Sequence, residues 1–443
     1  MKKSVKTISL TLSLILLFSL SVLAASGYAH TEEDLQAFYP KWEGIQADDT
    51  VISLTPGSCM GEMNFCWLSE TENESFRISE NEDMSDAKNV EVSQSAAVNN
   101  LISNKVTATG LEEGKTYYYT YTENGVMSAP EAITVQNDEN FTVLFISDAQ
   151  IGRSGDSTQE EVLVRDTCGW NYTVDKMTTR YPNAAFLISG GDQFQTADSF
   201  VQMKAYLSPE ELRSLPVANT IGNHDADDSL YGDIFNNPNE VKELFKSKAG
   251  TGYYYTYGDV LFITVNSENT SVTDSERVLR TAINAHPDKK WRVVTMHRDP
   301  YAGTHSDDTF SDERLVFASL FDCYDIDLVL AGHTHLYSRT YPMYGGKPAE
   351  VGTVYLQTSS ASGSNYDPLP ENGTASFIVS AFDTRVPTYT ALTFGEDTIS
   401  ISTYRTDTDE VIDSFEVEDN VSDSKANIFT ILIALIRTLF SMI

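Results

Sequence analysis

Metal-binding side chains recur in this sequence directly after apolar segments that are typical of β-strands. The segments FTVLFIS, AAFLISG, LPVANTI, KWRVVTM and DLVLAG are each followed by one or two of them. In chain order these residues are Asp148, Asp192, Asn223 with His224, His297, and His333 with His335. An Asp can bridge two metals, while imidazole, carboxylate and amide groups complete each coordination sphere. The pattern therefore predicts a site for two metal ions.

The placement of the histidines strengthens this prediction. Five of the seven histidines lie in or shortly after these loops, namely His224, His297, His305, His333 and His335. In an α/β sheet, strand ends are where ligand sites assemble. A random scatter of surface and core histidines would not produce this clustering, so we expect these residues to share one site.

The elements that must position the site form an α/β domain, which we place at residues 138–418. Apolar strand-like segments alternate there with longer helical stretches at residues 158–181 and 308–324. Alternation of strands and helices is typical of α/β domains. The segments YTALTFGEDTISISTYRTD and EVIDSFEVE predict closing hairpin strands.

Residues 48–136 have a different pattern, with short strands separated by turns. Alternation in KTYYYTYT and frequent Gly, Asn and Pro residues predict a small β-sandwich. The motifs SLTPG, FCWLS and ATGLEEGKTYYYTYT resemble the fibronectin type III-like N-terminal domain of purple acid phosphatases.

The ordered motifs of the α/β domain resemble the calcineurin-like metallophosphoesterase superfamily. Its Asp-x-His, Gly-Asp, Gly-Asn-His-Asp/Glu, later His and Gly-His-x-His motifs are matched by DAQ, GD, GNHD, VTMH and GHTH. Together with the sandwich, the nearest resemblance is to purple acid phosphatase-like proteins. This resemblance implies two mixed β-sheets packed face to face, with helices outside.

The resemblance also implies ligands for the first metal ion. Asp192 would bridge both ions, and Asp148 and His335 would bind the first. Gln150 stands where the motif usually has His, and its amide oxygen can bind a hard cation. We expect this neutral ligand to hold the first metal less tightly than the second metal is held.

The second ion would be bound by Asn223, His297 and His333, with Asp192 shared. Purple acid phosphatases carry an iron-binding Tyr three residues after the bridging Asp, and Gln195 stands there. We therefore expect a colourless protein whose two divalent or trivalent ions are iron, zinc or manganese.

Substrate contacts follow from the same resemblance. His224 would face the substrate and stabilise or protonate the leaving group, with Asp225 holding His224 in place. His305 is a further candidate phosphate contact, although it could be an exposed loop histidine. Arg153 is another candidate, although an ordinary surface arginine is an alternative reading.

The implied reaction is attack of a metal-bridging hydroxide on a small phosphorylated substrate, most simply a phosphate monoester. A phosphodiesterase or nucleotide hydrolase would use the same site. A surface binding module with a degraded site is a third reading, and retention of the full ligand set argues against it. The net charge of −34 disfavours long nucleic acid as a partner.

The chain ends predict export. Residues 1–29 have a basic start, a short apolar run and small residues, which is typical of a secretory signal peptide cleaved after Ala24 or Ala29. An uncleaved membrane anchor is the alternative. We therefore expect a secreted or extracellular protein.

Cys59 and Cys66 are near enough in sequence to form a disulfide bridge, and any disulfide would be optional.

Residues 427–443 form an apolar tail with small or polar residues along one narrow helical stripe. The tail could lie on a membrane surface or dock on another protein, giving cell-surface association. It could equally pack against the protein's own body.

Overall fold

The computed structural model describes residues 27–48, 51–154, 159–383, 385–418, 431–433 and 436. Most of the predicted signal peptide and most of the predicted C-terminal tail therefore lie outside the described residues. No helix within these described ranges combines the length and apolarity needed to cross a membrane. In the tail, Ile431 packs into a core cluster of the protein, whereas Leu432, Ile433 and Ile436 are about half exposed.

The helices, in chain order, are α1 (Glu32–Ala47), α2 (Glu160–Arg180), α3 (Phe200–Tyr206), α4 (Leu230–Ile234), α5 (Val272–Ala285) and α6 (Ser319–Cys323). Short 3₁₀ turns occupy Val98–Asn100 and Glu210–Arg213, and a π-helical turn at Arg314–Ala318 leads into α6. The predicted helical stretches at 158–181 and 308–324 thus contain α2 and α6.

The N-terminal strands are β1 (Ile52–Pro56), β2 (Glu62–Ser69), β3 (Phe76–Ser79), β4 (Lys88–Val90), β5 (Ser93–Ala96), β6 (Ile102–Thr109), β7 (Thr116–Glu123), β8 (Val126–Met127) and β9 (Glu131–Thr134). The C-terminal strands are β10 (Thr142–Ile146), β11 (Ala184–Ser189), β12 (Val217–Asn219), β13 (Tyr253–Tyr257), β14 (Val260–Thr264), β15 (Trp291–Arg298), β16 (Leu328–Gly332), β17 (Tyr337–Thr340), β18 (Met343–Tyr344), β19 (Lys347–Pro348), β20 (Val354–Gln357), β21 (Ile378–Phe382), β22 (Thr388–Phe394), β23 (Thr398–Arg405) and β24 (Val411–Glu418).

Strands β1 to β9 form two antiparallel sheets that share one core. One sheet has the order β1-β2-β6-β5, and the other has the order β4-β3-β7-β8 with β9 also paired to β7. Aromatic residues from both sheets meet between them, including Phe65 and Trp67 from β2 and Phe76, Tyr119 and Tyr121 from β3 and β7. This arrangement is consistent with the predicted sandwich, and its fibronectin type III-like character stays a prediction.

Apart from the small antiparallel pair β18-β19, the remaining strands form two mixed sheets with helices on their outer sides, as predicted. The six-stranded sheet has the order β12-β11-β10-β22-β23-β24, and the seven-stranded sheet has the order β13-β14-β15-β16-β20-β17-β21. Strands β10, β11 and β12 run parallel, as do β14, β15, β16 and β20. The predicted closing hairpin strands are β22, β23 and β24, which extend the first sheet beside β10.

Alternating side chains of a strand pack into different core layers on its two faces. In β10, Val143 and Phe145 join the core between the sheets, whereas Leu144 and Ile146 join the core beneath α1, α2 and α3. Successive side chains of a strand point to opposite faces, so a strand buried on both faces is apolar throughout. Helices α5 and α6 cover the outer face of the second sheet in the same way.

Helix α1 was not anticipated from the sequence. It begins with a capping box in which Thr31 and Asp34 exchange hydrogen bonds, and its buried face carries Leu35, Phe38 and Trp42. The spacing of these residues is helical, and Pro40 lies inside the helix, between Phe38 and Trp42 in the sequence. The helix packs against α2 and α3, so it belongs to the layer that supports the first sheet.

The four cysteines are free thiols, and Cys66 is buried while Cys59 is exposed. The Cys66 sulfur lies 3.1 Å from the Asp233 carbonyl oxygen, in the contact between β2 and α4. A Cys59–Cys66 bridge is therefore not part of this fold.

Candidate metal centre

The parallel strands of both sheets bring the predicted ligands to one edge. Strands β10, β11 and β12 end just before Asp148, Asp192 and Asn223, while β15 carries His297 and β16 runs directly into His333. Parallel strands deliver their carboxyl ends to the same side of a sheet, where α/β folds build ligand sites. A bridge between Ser147 and Ser360 joins the two sheets beside this edge.

The loops that follow these strands have unusual backbone geometry. Asp148, Gln150, Asp192 and His333 have φ values of 52°, 37°, 52° and 74°, in the left-handed region. A non-glycine residue there costs on the order of 1–3 kcal/mol and persists only when its surroundings impose it. Strain of this kind clusters at functional sites, which agrees with a metal-binding role for these four residues.

Two glycines allow the loops to approach each other. A side chain at Gly222 would collide with the Asp192 carboxylate, and one at Gly332 would collide with Ser147 and Asp148. The motifs GNHD and GHTH therefore need glycine at these positions because a carboxylate occupies the space of the missing Cβ.

The second set of ligands is closely grouped. Donor atoms of Asp192, His297 and His333 all lie within 4.8 Å of one another. The His297 Nε2 atom is 3.2 Å from Asp192 Oδ2 and 3.2 Å from Asn223 Oδ1. The His297 Nδ1 atom lies 2.9 Å from the Gly190 carbonyl oxygen, so Nδ1 carries the hydrogen and Nε2 is the nitrogen available to a metal.

The first set of ligands is also assembled. His335 Nε2 lies 3.2 Å from Asp148 Oδ1, and both side chains are buried. Gln150 is 1% exposed, and its Oε1 atom has no hydrogen-bond partner among the described residues. A buried acceptor without a donor is costly, and a cation beside Asp148 would satisfy it. The donor set thus fits a metal ion at this position.

Electrostatics keep the carboxylates ionised. Burial alone would raise the pKa of Asp148, but the neighbouring His335 lowers it well below its ordinary value. Burial likewise opposes ionisation of Asp192, and His297 lowers the pKa of that carboxyl. Conversely, burial would lower the pKa of His297, but Asp192 raises it to about 10. Burial, followed by the charge of His297, lowers the pKa of His333 to about 4, so its imidazole is neutral near pH 7.

His224 lies beside the Asp192 carboxylate, which is the predicted bridge between the two metal ions. Its backbone N–H donates to Asp192 Oδ1 at 2.9 Å, and its ring Nδ1 is 3.0 Å from the Gln195 carbonyl oxygen. The carbonyl can only accept, so Nδ1 holds a hydrogen, and Nε2 is the ring nitrogen that would meet a substrate.

The expectation that Asp225 holds the His224 ring is wrong. The Asp225 carboxylate instead accepts backbone N–H groups of Asp192 and Gly222, both at 2.9 Å, and of Gln193 at 3.1 Å. Asp225 is buried directly below the loop that presents Asp192, so its carboxylate is reached by the backbone amides of that loop. The His224 ring is oriented by the Gln195 carbonyl instead. Asp225 therefore holds the loop that carries Asp192.

The two other predicted substrate contacts lie in neighbouring loops. His305 is half-buried in the loop after β15, its Nδ1 has no hydrogen-bond partner among the described residues, and burial followed by the charge of Arg314 lowers its pKa. Arg153 is exposed in the turn after Gln150. Their contact with phosphate stays a prediction.

Sequence reasoning missed one residue of this centre. Arg298, the residue after His297, donates through Nη1 to His333 Nε2 at 2.9 Å and pairs with Glu268. Its position directly after a ligand was the only signal in the sequence.

Comparison with known proteins agrees with this geometry. Residues 141–337 match the family model of the calcineurin-like phosphoesterases. An uncharacterized protein of Mycobacterium tuberculosis, found in two strains, is 30% identical over 122 residues. That match covers 24% of this chain and 23% of the relative, so the chain spans about a quarter of the relative's length.

Two solved structures share the fold. The purple acid phosphatase of yellow lupin (Lupinus luteus) seeds matches with a TM-score of 0.66 and 15% identity, over 86% of this chain and 76% of the lupin chain. The structure of PhoD matches with a TM-score of 0.55 and 10% identity, over 88% of this chain and 97% of PhoD. At these identities the likeness concerns the fold alone. Residues 141–337 of this chain form a calcineurin-like phosphoesterase domain, the domain of metal-dependent phosphoesterases.

Proposed function

We propose that this protein is a secreted phosphoesterase with two metal ions that hydrolyses small phosphate monoesters. The observation that carries the proposal is the convergence of two carboxylates, three imidazoles and two amides at one edge of the paired sheets. The residues of this set are Asp148, Gln150, Asp192, Asn223, His297, His333 and His335.

The chain's own residues divide the work. When bound, the metal ions would supply an activated water and neutralise phosphate charge. Asp192 would be the carboxylate shared by the two ligand groups, and the His224 backbone N–H donates to one of its oxygens. The His224 ring is held at Nδ1 by Gln195, so in its protonated form it can deliver the Nε2 proton to the leaving alkoxide.

A panel of phosphomonoesters, phosphodiesters and nucleotides, assayed with manganese, zinc or iron and with a chelator, tests this proposal. We expect metal-dependent hydrolysis with monoesters as the preferred substrates. A preference for diesters or nucleotides would leave the site assignment intact and change the substrate class. The absence of hydrolysis with every metal would refute the enzyme proposal and favour a binding module.

The Asp192→Asn variant tests the bridging role within that proposal. We expect a loss of hydrolysis of at least about 100-fold, because the amide removes one charge shared by both ions. Circular dichroism and urea unfolding would show whether the variant stays folded. An unchanged rate in a folded variant would contradict the assignment of Asp192.

The structure bears on where the predicted signal peptide would be cleaved. Tyr28, which lies between the two candidate cleavage positions, is buried and donates to Asp166 at 2.8 Å. Asp166 also accepts the Gly152 N–H at 2.8 Å, next to the first metal-binding loop. Cleavage after Ala29 would remove Tyr28 and leave Asp166 short of a partner, so we favour cleavage after Ala24. Mass spectrometry of the exported protein tests this, and a mature chain beginning at His30 would contradict it.

A further inference from the structure

Arg298 makes two contacts that together set its position. Its Nε and Nη2 atoms donate to Glu268 at 2.8 and 3.2 Å, which anchors one edge of the guanidinium. Its Nη1 atom donates to His333 Nε2 at 2.9 Å, so the other edge faces the metal centre. The side chain is 29% exposed, so the guanidinium is not sealed inside the protein.

A local irregularity in β15 explains how adjacent residues both reach the site. The pairing of β15 with β16 shifts register between Thr295 and Arg298. In a regular strand, His297 and Arg298 would point to opposite faces. An irregularity of this kind re-aims a side chain and is common beside active sites.

The contact between Arg298 and His333 cannot coexist with metal binding by His333. An arginine only donates hydrogen bonds, and a neutral imidazole has one accepting nitrogen. His333 Nε2 must be that nitrogen, and its lone pair is therefore engaged by Arg298. If the metal binds at Nε2, it takes the same lone pair. If the metal binds at Nδ1, the ring hydrogen moves to Nε2, which can then no longer accept from Arg298.

We propose that Arg298 binds the substrate phosphate, and that metal binding to His333 releases it for this role. This inference rests on the proposed function. Glu268 keeps the released guanidinium beside the centre, while the Nη1 group becomes free to donate. A planar guanidinium suits phosphate because it offers parallel hydrogen-bond donors. The chain has a net charge of −34, which repels a phosphate, and the positive charge of Arg298 would offset that repulsion at the site.

The proposal requires two effects of opposite sign when Arg298 is lost. Metal should bind more tightly, because a competing donor and a nearby positive charge are gone. Phosphate should bind less tightly, because a charge-assisted contact is gone. A residue that only supports the fold would weaken both.

The test compares Arg298→Met with Arg280→Met. Methionine keeps an apolar stem and removes the donors in both variants. Arg280 lies on α5 and pairs with Glu276 at 2.9 Å, so its variant matches the lost ion pair and charge at a distance from the ligand set. Isothermal titration with Mn²⁺ alone, then with inorganic phosphate on the Mn²⁺-loaded protein, measures both affinities.

We expect Arg298→Met to raise Mn²⁺ affinity about tenfold and to lower phosphate affinity about tenfold. Arg280→Met should change neither affinity by more than about twofold. A fall in both affinities, or no change in either, for Arg298→Met would overturn the inference. A wild-type protein that binds no Mn²⁺, Zn²⁺ or iron would instead refute the proposed function.

If Arg298→Met does not fold, Arg298→Lys carries the test. A lysine keeps the charge but cannot present two parallel donors. Phosphate affinity should then still fall several-fold, and an unchanged phosphate affinity would overturn the inference.

Discussion

Replacing Asp225 by asparagine should loosen the loop that presents the bridging carboxylate. Asp225 Oδ2 accepts the N–H groups of Asp192 and Gly222, and Oδ1 accepts that of Gln193. An asparagine has one oxygen and one NH₂ group, so donors would face donors on one side. Leaving buried N–H groups without acceptors costs about 1–3 kcal/mol each, or about 2–6 kcal/mol for the two at Oδ2.

The second expected effect is on metal binding. Groups that orient metal ligands typically change metal affinity about 10–100-fold when replaced. We therefore expect Asp225→Asn to lower both the free energy of unfolding and the Mn²⁺ affinity. Urea unfolding in the presence of a chelator measures the first, and isothermal titration measures the second.

Asp274→Asn is a matched control. Asp274 is a buried carboxylate that accepts the backbone N–H groups of Leu244 and Phe245 at 3.0 and 2.9 Å. Its replacement removes similar hydrogen bonds from a loop that carries no predicted metal ligand. It should lower stability while leaving Mn²⁺ affinity within about twofold. Our reasoning about Asp225 is refuted if Asp225→Asn loses stability but keeps its metal affinity.

Three further predictions concern the metal centre. Gln150→His should tighten the more weakly held metal by about tenfold, because imidazole is the stronger ligand; equal affinity in stepwise titrations would mean that Gln150 does not bind metal. Asp192 raises the pKa of His297 to about 10, so a metal ion must displace a proton from His297, and the apparent metal affinity should rise with pH up to about 10. Calorimetric titrations in buffers of different ionisation enthalpy should detect about one proton released per metal-loaded chain. Metal binding without proton release would contradict this prediction. Gln195 stands where purple acid phosphatases, which this chain resembles, carry a phenolate ligand, so the iron-loaded protein should be colourless. A visible charge-transfer band would contradict that prediction.

Much of the metal centre could be predicted from the sequence. Asp148, Asp192 and His297 stand at the ends of apolar strands, and strand order fixes which ends share an edge. Gly222 and Gly332, which lie against the carboxylates of Asp192 and Asp148, were also visible in the sequence as parts of the motifs GNHD and GHTH. The local sequence pattern therefore predicts the ligand set, because each predicted ligand lies at the end of its own strand.

Other features depend on contacts that sequence does not record. The hydrogen bonds of Asp225 go to backbone amides, which are identical at every residue and leave no pattern in the side chains. The contacts of Arg298 with Glu268 and His333 join three separate strand ends, and they depend on a register shift in β15. Helix α1 had a readable signal in Thr31 and the spacing of its apolar residues, but Pro40 and the short segment obscured it.

The most direct test of the central claim is the number of metal ions that the chain binds, measured together with hydrolysis. The protein should be stripped with a chelator, dialysed against Mn²⁺, analysed for bound metal by mass spectrometry and assayed on a phosphate monoester. We predict two ions per chain and hydrolysis that requires both, with Asp192→Asn deficient in each. Full activity with one ion per chain, or with none, would contradict a dinuclear site.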